Sequence, residues 1–147
     1  MSKYYQPEIE TMPVDQLQAL QSERLVAQVK HVYDNVEFYR NKMDEAGVKP
    51  EDIHGIEDLH LLPFITKDDL KEQYPYGLLA KPLKDCVRMH STSGTTGRRV
   101  VAFYTQHDID LWEEQAARMR MSATLHTAMV CLPAVLVYMA VLIKLAA

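Results

Sequence analysis

The sequence predicts an α/β fold that is mostly helical, with one strand–loop–strand unit past its middle. Three observations carry that reading. Between residues 17 and 36, Leu17, Leu20, Leu25, Val29, Val32 and Val36 recur at helical spacing, with Gln, Glu, Arg and Lys opposite them. Two β-prone runs, Cys86-Val87-Arg88-Met89-His90 and Val100-Val101-Ala102-Phe103-Tyr104, flank the small polar stretch Ser91-Thr92-Ser93-Gly94-Thr95-Thr96-Gly97. Two Thr-x-x-Asp quartets, Thr66 to Asp69 and Thr105 to Asp108, have the form of helix starts.

The first long helix is expected from Pro13, a residue suited to a first helical position, with Asp15 complementing the positive end of the dipole. His31 on this helix has the setting of a surface or packing residue. A break is expected at Asp34-Asn35, then a short helix from about Glu37 to Ala46 that Gly47 ends in a left-handed cap. Pro50 and Gly55 punctuate an irregular connection anchored by Ile56, Leu59 and Leu62. Tyr33, Phe38 and Tyr39 have the spacing of core residues, with an aromatic substrate pocket as the alternative.

Thr66 is expected to cap a helix with Asp69 at its third position, and Tyr74-Pro75-Tyr76-Gly77 ends that helix early. The adjacent carboxylates of Asp68 and Asp69 suit the dipole of a first turn better than a metal ion. Thr105 repeats the cap, and Ile109, Leu111, Trp112 and Ala116 begin another amphipathic helix. His90 lies beside the polar stretch, either near a ligand or packed at a strand end.

At 147 residues the chain is long enough for one domain with a real core. Its formal charge of −4, with Lys and Arg scattered, excludes the basic stripe of a nucleic-acid surface. Cys86 and Cys131 form neither a metal spacing nor a disulfide framework, and Met1 to Tyr5 has no apolar signal region, so a reducing cytoplasm is expected.

The polar stretch has few bulky side chains and many free backbone N–H groups. Successive N–H groups in a glycine-permitted turn form a nest for phosphate oxygens, to which Ser and Thr hydroxyls add donors. A Ser/Thr/Gly loop of this kind is more often a solvated hairpin. It is not a Walker loop, because its second glycine comes too early and no Lys-Ser or Lys-Thr pair follows.

The order of residues narrows the choice. His90 to Gly97, with the following valines and Tyr104-Thr105, resembles the phosphate loop of the AMP-forming adenylating enzymes, and most closely that of the phenylacetate-coenzyme A ligase family. Tyr4 to Pro13, Val36-Glu37-Phe38-Tyr39-Arg40 and Leu62-Pro63-Phe64-Ile65-Thr66-Lys67-Asp68-Asp69-Leu70 resemble that family in the same order, so the likeness covers about residues 4 to 120. One departure is Arg98-Arg99 where the family has Lys-Pro. Arginine keeps the positive charge but presents a planar fork.

The resemblance implies the helix-rich N-terminal part of the large domain of an acyl-CoA synthetase, an incomplete domain of an enzyme whose mobile C-terminal domain carries a catalytic lysine. It implies ATP, Mg2+ and coenzyme A as cofactors of the parent enzyme and an aryl acid as its substrate. Ser91, Thr92, Ser93, Gly94, Thr95, Thr96, Gly97 and Arg98 are the implied ATP-phosphate site. No catalytic or metal-ligating residue is assigned.

Residues 1–121 are therefore expected to be the adenylating-domain portion, and 122–147 a tail outside the family pattern. From Ala128 to Leu145 the tail is almost uniformly apolar and of span-like length, interrupted by Pro133. A shifted reading frame accounts for it. Re-read one base earlier, Met129-Val130 and Met139-Ala140 each necessarily encode glycine, and codon degeneracy permits YGYGLFTGGLG from His126/Thr127 to Leu136/Val137. That is the type of glycine-rich segment the resemblance implies here. A membrane-anchored, non-catalytic module and a nucleotide-binding adaptor without chemistry are the alternatives. No nucleic-acid partner is expected, a membrane is the weaker alternative, and oligomeric state is not legible.

Overall fold

The computed structural model describes residues 4–93 and 99–124. Its elements are helices α1 (Pro7–Glu10), α2 (Val14–Asn35), α3 (Glu37–Glu45) and α4 (Lys67–Glu72), strands β1 (Cys86–Ser91) and β2 (Val101–Thr105), and helix α5 (Gln106–Thr124). Short 3-10 turns at Pro50–Asp52, Ile56–Leu61 and Leu83–Asp85 fill the connections.

The core forms where the α2 stripe meets α3 and the connection that follows. Leu25, Val29, Val32 and Val36 are buried together with Tyr39, Met43, Ile53, Leu62 and Ile65. Leu17 and Leu20 stay half-buried, so the stripe is longer than the core it supplies. Tyr39 belongs to this core; burial pushes its phenol up to about 12. Ile56 and Leu59 pack against this cluster. Phe38 does too, its ring edge-on to Tyr39 at 5.5 Å.

Two helix boundaries differ from the sequence expectation. Pro13 stands just before α2 rather than in it, since its ψ of 147° is extended, although its carbonyl already accepts from the Leu17 N–H at 2.9 Å. The chain runs helical through Asp34-Asn35 and breaks at Val36, whose extended backbone (φ −124°, ψ 107°) turns its β-branched side chain into the core. Arg40 reaches back to the open end of α2, donating from Nε to the Tyr33 carbonyl at 3.0 Å and from Nη2 to the Asp34 carbonyl at 3.3 Å. Those carbonyls have no partner within the helix.

Gly47 ends α3 as expected. Its φ of 69° lets the Val48 N–H reach the Met43 carbonyl at 2.9 Å, and its own N–H reach the Asp44 carbonyl at 3.0 Å. Asp44, Lys49 and Tyr33 close a triangle across this turn: Lys49 Nζ lies 2.5 Å from Asp44 Oδ1 and 2.9 Å from the Tyr33 hydroxyl, which donates to Asp44 at 2.7 Å. The lysine holds the Asp44 carboxyl below its ordinary range.

The Thr66 cap is present in full. Asp69 accepts from the Thr66 N–H at 2.6 Å and from its hydroxyl at 2.9 Å, and Thr66 Oγ1 accepts from the Asp69 N–H at 3.2 Å. Lys42 of α3 meets the same carboxylate at 3.3 Å, tying α3 to α4. The Thr66 N–H, above all, holds Asp69 below its ordinary range. Asp68 pairs with Lys71 at 2.7 Å. The acidic pair thus serves helix start and helix surface.

Candidate anion-binding loop

β1 and β2 form an antiparallel hairpin in which Met89 faces Phe103, His90 faces Ala102 and Ser91 faces Val101, with an irregularity between Cys86 and Arg88. Beyond Ser91 the ladder continues for one more step. The Thr92 N–H donates to the Val100 carbonyl at 3.0 Å, and the Val100 N–H donates to Thr92 Oγ1 at 3.1 Å. The Ser91 hydroxyl donates to the Thr92 carbonyl at 3.2 Å. Thr92 and Val100 therefore form the neck of the loop.

Ser91, Thr92 and Ser93 are exposed, as a ligand-contacting loop requires. Gly94, Thr95, Thr96, Gly97 and Arg98 lie outside the described residues. Arg99, exposed beyond them, keeps a cation next to the neck. A short strand pair holding a narrow neck fixes where the intervening N–H groups begin and end, which is what a phosphate nest needs from its scaffold.

Helix α5 braces the hairpin. Thr105 caps it as expected: Asp108 accepts from the Thr105 N–H at 2.8 Å and hydroxyl at 2.7 Å, and Thr105 Oγ1 accepts from the Asp108 N–H at 3.3 Å. Ile109 is buried at the start of α5. Trp112 lies 5.5 Å from the ring of His90 and 5.8 Å from that of Tyr104, while His90 and Tyr104 are 5.1 Å apart. His90 is a member of this ring cluster, which locks strand to helix, and such contacts account for its place beside the loop. Arg118, farther along α5, hydrogen-bonds Gln6 ahead of α1.

An open groove of about 930 Å³ runs between the helical body and the hairpin, with Val36, Tyr39, Leu78, Val101 and Phe103 among its walls. It lies on the body side of β2, and His31, Cys86, His107 and Asp108 also line it. Among the described residues, no group of three or more His, Cys, Asp or Glu side chains could hold a metal ion, and no helix is long and apolar enough to cross a membrane. The apolar run 128–145 lies outside the described residues, as does Cys131; Cys86 is a free thiol.

The sequence reading did not identify Val100 as a partner of the loop or Lys42 as a partner of Asp69. The first depends on strand register. The second joins residues 27 positions apart, for which local spacing carries no signal.

No family model matches the chain. Individual proteins do. Over 114 residues it is 49% identical to the phenylacetate-coenzyme A ligase of Thermus thermophilus, covering 78% of this chain and 26% of that protein. Over 110 residues it is 50% identical to the phenylacetate-coenzyme A ligase of Escherichia coli K12, covering 75% and 25%. In fold it is similar to 2-hydroxyisobutyryl-CoA ligase in complex with 2-HIB-AMP and CoA, with a TM-score of 0.76 and 31% identity, over 82% of this chain and 27% of that one. The same ligase in its postadenylation state gives a TM-score of 0.74 at 28% identity. The chain spans about a quarter of the length of the relatives it matches.

Proposed function

We propose, for a chain that matches the phenylacetate-coenzyme A ligases in sequence and an N-terminal portion of an AMP-forming CoA ligase in fold, that it is the ATP-phosphate-binding portion of an aryl-acid CoA ligase. The parent enzyme joins the carboxylate of phenylacetate, or a related aryl acid, to AMP with release of pyrophosphate. The coenzyme A thiol then displaces AMP. The single observation that carries this reading is the hairpin neck of Thr92 and Val100, presenting a Ser/Thr/Gly loop within a fold shared with a ligase bound to an acyl-AMP.

The chemistry asks this part of the protein for charge stabilisation and position. Backbone N–H groups and hydroxyls of Ser91 to Gly97, with Arg98, are suited to hold phosphate oxygens in place while charge redistributes among them. Among these, Ser91 already donates its hydroxyl to the Thr92 carbonyl, so its contribution to a ligand is through its place in the strand end. Thr92 uses its hydroxyl oxygen as an acceptor, and among the described residues no acceptor takes its hydroxyl proton, which leaves that proton for a phosphate oxygen. Mg2+ neutralises phosphate charge when ATP is bound. The described residues offer it no cluster of ligands, and none is assigned to it or to coenzyme A.

Residues 1–121 form the adenylating-domain portion in this reading, and 122–147 a tail produced by a shifted frame. The chain by itself makes no acyl-CoA, because the acid pocket and the lysine of a mobile domain are needed around one substrate. A cytoplasmic location follows from the same reading.

The test is direct. The purified chain, given ATP, Mg2+ and phenylacetate, is expected to bind ATP weakly and to release no pyrophosphate. In a full-length ligase carrying this segment, replacing Thr95 and Thr96 by leucine is expected to abolish adenylation with the melting temperature nearly unchanged. Parallel loss of folding and activity would overturn the site assignment, and acid-dependent pyrophosphate release by the chain would overturn its inactivity.

A further inference from the structure

The last rung of the β1–β2 ladder is made by a side chain. In a regular antiparallel pair of the hydrogen-bonded kind, two facing residues exchange both backbone N–H···O bonds. Thr92 and Val100 make only one such bond, from the Thr92 N–H to the Val100 carbonyl at 3.0 Å. The return bond from the Val100 N–H goes to Thr92 Oγ1 at 3.1 Å. The Thr92 carbonyl is taken up by the Ser91 hydroxyl at 3.2 Å.

We infer that Thr92 is a positioning residue, whose hydroxyl ends the strand ladder and sets the mouth of the loop, in addition to any contact it makes with phosphate. This rests on the phosphate-loop reading above and deepens it. A carbonyl rung would hold both chains in strand geometry, whereas a side-chain rung satisfies the Val100 N–H while the Thr92 carbonyl alone is released from the ladder. Only a residue with a short acceptor does this. Serine keeps the oxygen; valine, of the same shape, removes it and leaves the Val100 N–H without its partner.

The test compares the nucleotide-free chain with its Thr92→Val and Thr92→Ser variants by hydrogen exchange at the Val100 amide, then titrates each with ATP. Thr92→Val is expected to speed exchange at Val100 roughly two- to tenfold and to weaken ATP binding, with Thr92→Ser restoring both. Weaker ATP binding with unchanged exchange would make Thr92 a ligand contact and no latch. Faster exchange with unchanged ATP affinity would remove its positioning role. If the parent chain binds no ATP, the phosphate reading fails, and with it the positioning role; the exchange arm still reports whether the rung exists. Should Thr92→Val not fold, Val100→Pro deletes the same N–H while keeping the hydroxyl, and retained ATP affinity in that variant overturns the proposal.

Discussion

Thr105 and Asp108 hold α5 against the strand that leads out of the loop, and their energies are expected to be coupled. Thr105→Ala removes two contacts, the hydroxyl donated to Asp108 at 2.7 Å and the longer bond accepted from the Asp108 N–H at 3.3 Å. The backbone bond from the Thr105 N–H at 2.8 Å survives. Loss of an N-cap hydroxyl costs about 1 kcal/mol. Asp108→Ala removes the carboxylate that both Thr105 groups share, together with its favourable place in the first turn, worth about 0.3–1 kcal/mol, so about 2 kcal/mol is expected in all. In the double variant the hydroxyl has no carboxylate left to lose but still gives up the bond from the Asp108 backbone N–H, so the total falls between about 2 and about 3 kcal/mol, a coupling below about 1 kcal/mol. Thermal melts followed by far-ultraviolet circular dichroism read this as midpoint shifts of about 2–5 °C per kcal/mol for a chain of this size. Strict additivity, or a Thr105→Ala cost larger than that of Asp108→Ala, would refute the shared-carboxylate account.

Three other outcomes are expected. Met43, 1% exposed in the core, should cost about 2–5 kcal/mol when changed to alanine; a change below about 1 kcal/mol by urea denaturation would place the core elsewhere. Tyr39 should ionise near pH 12 by absorbance at 295 nm, because burial disfavours its phenolate. Since its folded pKa is raised, the stability it lends is whole below about pH 10 and is lost as pH rises toward about 12; a tyrosine spectrum titrating uniformly near pH 10 would contradict the burial. Sequencing the coding DNA should reveal a glycine-rich continuation one base earlier than the frame of residues 126–137, and any other reading brings the membrane-anchored alternative forward.

Features set by near neighbours were legible before the fold was known. Both capping boxes depend on residues three apart, the Gly47 cap on a single residue, and the α2 stripe on helical spacing, so each follows from sequence alone. The strands were legible for a similar reason, since two β-prone runs around a polar loop admit few other arrangements. What escaped notice was set by packing or register. Met43, Ile53 and Ile65 became core because α3 and the connection fold back onto α2, and the Thr92–Val100 rung exists only once β1 and β2 are aligned as they are. The Val36 break is a tertiary choice too: an extended backbone there brings a branched side chain to 2% exposure and leaves Arg40 to close the helix end.

The hairpin is a sheet of two strands, so among the described residues each strand offers one flank of unmatched N–H and C=O groups, and Val87 and Met89 lie beside that flank at 59% exposure. Such a ribbon recruits any extended chain that meets it. Collisions between copies rise with the square of concentration while folding does not, so the solution lifetime of this chain is governed by how much of it is present.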